Sequence, residues 1–111
     1  MLTPVMRRRF DKDGKFYDAH GEYPDLTRSV AKDLKIPLIE MHRASEKLIV
    51  QYGAEKSKKL FLQLKAGENP DYPNGIEDNT HFNSTGAEEM ARLAVAEIKE
   101  SRIKLRKYLK K

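Results

Sequence analysis

The sequence predicts an α/β fold in which two short parallel strands, at about residues 2–6 and 36–40, pack with three or four helices. Apolar residues recur at helical spacing in four segments, and two compact apolar runs of strand length lie on either side of the first of them. A strand, a helix and a strand in this order form a β-α-β unit, whose strands are parallel. The 111 residues fit a single domain, 1–111, with a basic tail at 102–111.

The first strand leads through a loop into the first helix. Pro4 is tolerated near the start of a strand, where a missing N–H does little harm. Residues 7–23 contain strong turn formers and predict a loop. Behind Pro24, apolar residues recur every four positions and predict a helix over residues 24–34, with one apolar face formed by Leu26, Val30 and Leu34.

The middle of the chain returns to a strand and then to helices. Pro37 prevents the first helix from continuing, and the apolar run Ile36-Pro37-Leu38-Ile39 predicts the second strand. Helical spacing resumes at Ala44 and predicts a helix that stops at Gly53. A second short helix is expected over residues 54–62.

The last third combines a long loop with a long helix. Residues 65–79 hold two prolines and two glycines, which predict an irregular loop of functional length. Thr85 and Glu88 form a capping box, in which each side chain satisfies a backbone N–H at the helix start. An apolar stripe of period 3.6 then predicts the C-terminal helix, through Ala87, Met90, Ala91, Ala94, Val95, Ile98 and Leu105.

The composition excludes cysteine chemistry and gives no transmembrane segment. Without cysteine there is no disulfide, no thiolate nucleophile and no cysteine-rich zinc site. The longest aliphatic run, Leu48-Ile49-Val50, is far shorter than the roughly 20 apolar residues that span a bilayer. The N-terminus places apolar residues before basic ones, the reverse of a secretory signal, so an export signal of a parent protein would lie upstream. The compartment stays undetermined.

Basic residues concentrate in two places. The net charge of +5 arises mainly from Arg7-Arg8-Arg9 and from the tail after Glu100, which contains no acid. Lysine and arginine at a helix C-terminus complement the helix dipole and keep the surface soluble. No nucleic-acid-binding motif accompanies them, so we expect neither a nucleic-acid nor a membrane partner.

Asp78 and His81 are the residues that indicate chemistry. They end the irregular loop directly before the long helix. A general-base histidine needs one ring nitrogen held by a carboxylate, which fixes the tautomer, while the other nitrogen faces the nucleophile. A carboxylate three residues earlier can do this within one turn. The spacing alone is weak, because two common residue types occur at it often by chance.

Longer motifs give the pair its context. They include Leu2-Thr3-Pro4-Val5, His20-Gly21-Glu22-Tyr23-Pro24, Ile36-Pro37-Leu38-Ile39-Glu40-Met41, Ser57-Lys58-Lys59-Leu60-Phe61 and Asp78-Asn79-Thr80-His81-Phe82. Together they resemble the C-terminal half of rhamnogalacturonan acetylesterase-like members of the SGNH (GDSL-type) hydrolases. The resemblance extends to about Ile98 and implies part of a three-layer, flavodoxin-like SGNH fold.

The resemblance implies a serine carbohydrate esterase that deacetylates a polysaccharide of the pectin type, without a cofactor. Asp78 would orient His81, and His81 would deprotonate the serine. The family's nucleophile and oxyanion-hole blocks would lie upstream of this chain, whose serines stand in other contexts: Ser29, Ser45, Ser57, Ser84 and Ser101. We therefore expect a C-terminal fragment that is inactive alone and associates with an N-terminal half or with itself.

Two further groups of residues are candidates for binding sites. Arg7 and Arg8 follow the first strand at its carboxyl end, where α/β sheets place ligands, and could contact an anionic sugar such as galacturonate. His20 and His42 have Asp18 and Glu40 nearby, but no third ligand stands at a helical or strand spacing that would close a metal site. We expect no metal.

Two alternatives to an esterase fragment remain open. The first is a non-enzymatic basic module in which the tail binds nucleic acid or an acidic partner, and its binding would weaken with salt. The second is a structural or vestigial protein without activity.

Overall fold

The protein, described by a computed structural model over residues 1–110, folds into three α-helices and one two-stranded antiparallel sheet. The elements follow one another as α1 (Tyr23–Asp33), α2 (Met41–Lys56), a 3₁₀ turn (Ser57–Leu60), β1 (Phe61–Leu64), β2 (Ile76–Phe82), α3 (Ser84–Glu100) and a second 3₁₀ turn (Lys104–Tyr108). The predicted α/β class with a long C-terminal helix is confirmed. Within residues 1–110, no helix combines the length and apolarity that crossing a membrane requires. Lys111, the end of the predicted basic tail, lies outside the described residues.

The two predicted parallel strands are reduced to a single bridge. Leu2 and Ile39 form an isolated parallel bridge, and Thr3 donates its N–H to the Ile39 carbonyl at 3.1 Å. The pairing goes no further because α2 begins two residues after Ile39, and because the N–H of Met6 donates to the Ser45 hydroxyl at 2.9 Å. The predicted direction of this pairing is confirmed, but each strand is shorter than the five residues predicted.

The sheet forms where the sequence predicts a helix end and a loop. β1 starts at Phe61, inside the predicted helix 54–62, of which the part up to Leu60 is helical. β2 starts at Ile76, inside the predicted loop 65–79. Phe61 stands opposite Phe82, and Leu64 stands opposite Ile76. The helix over residues 61–62 and the loop over residues 76–79 were wrong predictions.

Gly53 divides α2 into two helical segments. Its φ of 75° and ψ of 175° lie in a region that glycine enters without the steric cost of a Cβ. The break predicted at Gly53 is confirmed. The chain resumes a helical path beyond it, through Lys56.

The core lies where α2, the first 3₁₀ turn and β1 meet the N-terminal segment. Met6, Ile49, Leu60 and Phe61 are each at most 1% exposed. A partly buried shell packs against this group and consists of Phe10, Phe16, Leu48, Tyr52 and Phe82. Burial of these aromatic and aliphatic side chains fixes β1 against α2, and β2 is hydrogen-bonded to β1.

The junction between β2 and α3 is held by Asn83, not by the predicted capping box. The Asn83 carboxamide oxygen accepts the N–H of Gly86 at 2.9 Å, which caps α3. Its nitrogen donates to the carbonyls of Lys59 and Phe61, both at 2.9 Å. The prediction that Thr85 and Glu88 start the helix was wrong, because α3 begins at Ser84 behind Asn83, and Thr85 and Glu88 both lie inside the helix.

Gly86 lets α3 approach that segment closely. A Cβ built at this position would lie 1.8 Å from the carbonyl oxygen of Leu60 and 2.8 Å from its carbonyl carbon. No side chain fits there without displacing backbone, so the first turn of α3 rests directly on the 3₁₀ turn. The start of the helix is therefore fixed relative to β1 and β2.

We expect Asn83→Ala to lower the free energy of unfolding by about 2 kcal/mol, since it removes a helix cap and two further hydrogen bonds, of which the one to Phe61 is partly buried. Thr85→Ala, the matched control, should change it by less than about 0.5 kcal/mol. Urea denaturation of both variants measures the difference. Equal losses of unfolding free energy in the two variants would instead support the capping box of Thr85 and Glu88.

α1 leaves most of its apolar face on the surface. The three residues predicted to share one face, Leu26, Val30 and Leu34, are 54%, 44% and 63% exposed. The helix begins with Pro24 in its first turn, as predicted, and buries Pro24 and Ala31. The boundaries of α1 follow the sequence pattern, but within residues 1–110 no other element covers its apolar face.

Candidate active site

A bulge in β2 holds the candidate site. Between the pairs formed by Phe61 with Phe82 and Gln63 with Glu77, Leu62 alone on β1 faces the four residues 78–81 of β2. Extra residues in one strand bend it and re-aim its side chains, a device that is common beside active sites. Asp78 and His81 thus leave the sheet as a local loop within a strand.

Asp78 and His81 form the hydrogen-bonded pair that the spacing predicts. Asp78 Oδ2 lies 2.7 Å from His81 Nδ1. Its other oxygen, Oδ1, accepts the backbone N–H groups of Thr80 at 2.7 Å and His81 at 2.8 Å. The Asp78 side chain is 19% exposed, whereas that of His81 is 76% exposed. The carboxylate is therefore anchored on both oxygens, and the imidazole presents Nε2 outward.

Hydrogen bonds keep the Asp78 carboxylate ionised. The backbone N–H groups of His81 and Thr80, followed by the His81 ring, lower the pKa of Asp78 from 3.8 to about 2. Because the folded-state pKa is depressed, this group stabilises the fold above its ordinary pKa. That stabilisation is lost as the pH falls through the folded value.

We expect the Asp78 carboxyl carbon to titrate near pH 2 in the folded protein, with the midpoint followed by NMR. In His81→Ala the midpoint should rise only in part, because the two backbone donors stay in place. An Asp78 midpoint at its ordinary 3.8 in the folded protein would contradict this geometry.

Two side chains from outside β2 hold the bulge in shape. Gln63 donates from Nε2 to the Asp78 carbonyl at 2.8 Å and to Asn79 Oδ1 at 3.2 Å. Arg8 donates its backbone N–H to the Asn79 carbonyl at 2.9 Å, and its Nη1 donates to Asn79 Oδ1 at 2.8 Å. Asn79, which directly follows the aspartate, is therefore bound on its backbone and its side chain.

The rest of the Arg8 guanidinium also binds the protein. Nε donates to the Ser57 hydroxyl at 3.0 Å, and Nη2 donates to the carbonyl of Ala54. Burial lowers the pKa of this guanidinium, against the opposing fields of Glu55 and Glu77. Arg8 was predicted to contact substrate together with Arg7. All three guanidinium nitrogens are engaged within the protein and hold the bulge in shape, so its contact with substrate stays a prediction; these partners lie too far away along the chain for a sequence pattern to reveal them.

An open groove beside the pair is lined by two other arginines. Its volume is about 400 Å³, and its walls are Arg7, Arg9 and residues 76–81, including His81. Arg7 lies in this groove, as its predicted role requires. Arg9 joins it because side chains two residues apart in an extended segment point the same way. Sequence reasoning missed Arg9, and the alternation along Arg7-Arg8-Arg9 was the available signal.

Within residues 1–110, no serine hydroxyl is hydrogen-bonded to His81. Ser45 and Ser57 are fully buried; their hydroxyls donate to backbone carbonyls and accept from the Met6 N–H and from Arg8 Nε, respectively. The hydroxyl of Ser101 donates to the Ile98 carbonyl at the end of α3. The nucleophile that the histidine would serve is not provided by any of these three.

His20 and His42 do acquire a third potential ligand. Asp18 Oδ1 lies 2.9 Å from His20 Nδ1, and Asp18 Oδ2 lies 2.7 Å from His42 Nε2. Sequence spacing predicted no such group, because 24 residues separate Asp18 from His42 and only the fold brings them together. The expectation that no third ligand stands near His20 and His42 is therefore wrong, and with it the argument against a metal site.

Comparison with known proteins gives two relatives. The chain is 44% identical over 108 residues to the rhamnogalacturonan acetylesterase RhgT of Bacillus subtilis (strain 168), a match that covers 97% of this chain and 47% of RhgT. It is 30% identical over 100 residues to the probable rhamnogalacturonan acetylesterase YesY of the same organism, covering 90% of this chain and 42% of YesY. The chain thus spans just under half the length of these relatives.

No family model and no solved structure matches the chain. The two relatives agree with the resemblance that the motifs predict. The chain is therefore related to the rhamnogalacturonan acetylesterases and corresponds to about half of such a protein, consistent with the C-terminal portion.

Proposed function

We propose that this chain supplies the Asp–His part of a serine carbohydrate esterase that removes acetyl groups from a polysaccharide of the rhamnogalacturonan type. The observation that carries the proposal is the Asp78–His81 pair, with a 2.7 Å hydrogen bond and an outward-facing Nε2. The names of the two relatives support the substrate class.

In this proposal Asp78 fixes the His81 tautomer. With Nδ1–H bonded to the carboxylate, Nε2 carries a lone pair and accepts the proton of a serine hydroxyl as the serine oxygen attacks the acetyl carbonyl. The resulting imidazolium is stabilised by ionised Asp78. His81 then returns the proton to the departing sugar oxygen, and the acetyl-enzyme is hydrolysed by water that His81 activates in the same way.

The serine and the oxyanion donors would come from the other half of the enzyme. Without them the chain lacks the groups that most reduce the barrier of acyl transfer, since one oxyanion donor alone contributes about 3 kcal/mol. We infer that the chain alone hydrolyses acetyl esters at a rate near background.

The groove beside His81 fits an acidic sugar. Arg7 and Arg9 supply two guanidinium groups, which bind carboxylates through paired N–H donors. Galacturonate carries such a carboxylate. We propose that Arg7 holds a uronate carboxylate next to the acetylated sugar, with Arg9 beside it, while Arg8 keeps the bulge in position.

The uncovered apolar face of α1 supports association with the missing half. Leu26, Val30 and Leu34 would be desolvated by a neighbouring layer of the complete fold. The short bridge at Leu2 and Ile39 also ends in unpaired strand edges that another strand could extend. Self-association through the same surfaces is the alternative expected when that half is absent.

A chimera tests the proposed function. This chain replaces the segment of RhgT that it matches, and acetate release from acetylated rhamnogalacturonan is measured for the chimera, for RhgT and for the chain alone. We expect activity from the chimera and none above background from the chain. A folded chimera without acetate release would contradict the proposal. Rapid acetate release by the chain alone would contradict it too.

A further inference from the structure

Asp18, His20 and His42 converge outside the candidate active site. One ligand atom from each residue, a carboxylate oxygen and two ring nitrogens, lies within 4.8 Å of the other two. The imidazole rings stand nearly perpendicular, at 84°, with centroids 6.0 Å apart. Two imidazole nitrogens thus face a single carboxylate.

The fold holds all three side chains in place. His42 lies in the first turn of α2, is 8% exposed, and donates its backbone N–H to Thr3 Oγ1 at 2.8 Å. Asp18 Oδ1 accepts the backbone N–H of His20 at 2.9 Å, which closes a tight loop before α1. The His20 and His42 side chains are 14% and 11% exposed, and that of Asp18 is 32% exposed. An ion could reach the group from solvent along the Asp18 side.

The electrostatic environment suits a cation. Asp18 is the acidic member of the group, and each of its carboxylate oxygens lies within 2.9 Å of an imidazole nitrogen. Arg28 is the nearby positive group, and it already binds Glu40 at 2.8 and 2.9 Å and Asp25 at 2.7 Å. The negative charge of Asp18 is therefore not balanced by Arg28.

We propose that Asp18, His20 and His42 bind one Zn²⁺ ion. Two imidazoles and a carboxylate are ligands that zinc takes at about 2.0–2.1 Å, with a fourth position left to water. Tetrahedral coordination at these bond lengths places the ligand atoms about 3.3 Å from one another, so the hydrogen-bonded oxygen and nitrogen atoms must separate by roughly 0.5 Å, and any ligand atoms now farther apart, up to 4.8 Å, must approach. The ion would clamp the loop at residues 18–20 onto the start of α2.

Arg28 determines which ring nitrogen of His42 carries the proton before zinc binds. Its Nη2 lies 3.1 Å from His42 Nδ1, and a guanidinium only donates, so Nδ1 carries the lone pair and the proton sits on Nε2 facing Asp18. Coordination through Nε2 moves that proton to Nδ1. Arg28 must then release His42, while its hydrogen bonds to Glu40 and Asp25 keep it in place.

The test is a calorimetric titration of the chelator-treated 111-residue chain with zinc chloride. We expect one Zn²⁺ per chain, and a dissociation constant that rises by about tenfold or more in His20→Ala, in His42→Ala and in the near-isosteric Asp18→Asn. His81→Ala is the matched control, because His81 also pairs with an aspartate but has no second imidazole; its affinity should equal that of the unmodified chain. Circular dichroism verifies that each variant is folded.

A second readout follows the histidine tautomers by ¹⁵N NMR. Zinc should convert His42 from the Nε2–H to the Nδ1–H form and leave His81 unchanged. Absence of binding in the unmodified chain, or binding that survives loss of both His20 and His42, would overturn the proposal. Neither measurement depends on esterase activity, so the result is independent of the proposed function.

Discussion

His81→Ala is expected to lower kcat for acetate release by roughly 10⁴-fold or more in the RhgT chimera, because the serine then has no base. Asp78→Asn should lower kcat by about 10⁴-fold, since the amide stabilises the wrong tautomer and leaves the imidazolium without an anion. Both rates are measured under saturating substrate, with Tyr108→Ala as a control whose ring is 81% exposed in the tail.

A variant that combines both substitutions tests whether Asp78 and His81 act as one unit. Groups that act as one unit give non-additive losses, so Asp78→Asn with His81→Ala should be no slower than His81→Ala alone. Additive losses would mean that the two residues act separately. A small effect of His81→Ala would remove the catalytic role from the pair.

Arg8→Ala is expected to cost about 2–3 kcal/mol of folding free energy, because it removes the charged hydrogen bonds that Arg8 donates to Asn79 Oδ1, the Ala54 carbonyl and the Ser57 hydroxyl. For a domain of this size, the melting temperature should fall by roughly 10 °C. Arg8→Lys should recover only part of the loss, since one ammonium cannot reproduce a fork with three partners.

The neighbouring arginine is the matched control. Arg7 is exposed and lines the groove, so Arg7→Ala should change stability by less than about 0.5 kcal/mol. In the chimera the two variants should separate further: Arg7→Ala raises KM for the acidic polysaccharide, while Arg8→Ala lowers kcat by displacing the bulge. Equal stability losses would contradict the assignment of Arg8 as a positioning residue.

Local patterns predicted the parts of the fold that local forces determine. α1 and α3 follow apolar stripes of helical period, and Pro24 lies in the first turn of α1, where its missing N–H does no harm. The Asp78–His81 pair also closes within one short segment. Each of these features depends on residues a few positions apart, which is the range that a sequence pattern reports.

The sheet escaped prediction because its pairing is not local. Phe61-Leu62-Gln63-Leu64 fits the buried end of a helix as well as a strand, and Glu77-Asp78-Asn79 has low β-propensity. Their hydrogen bonds to each other, and those of Arg8 and Gln63 to the bulge, override these preferences. Tertiary partners likewise decide between Asn83 and Thr85 as the helix cap.

The close contact at Gly86 extends the recognisable feature of this site beyond two residues. Asp78 and His81 form the hydrogen-bonded pair, Asn83 holds the end of β2 against the neighbouring segment, and Gly86 admits the Leu60 backbone. In sequence these four requirements read Asp-x-x-His-x-Asn-x-x-Gly, where each fixed letter has a separate structural reason. A nine-residue signature of this kind can be searched for in other sequences, where it would select chains that meet all four structural requirements together and not only the Asp–His spacing.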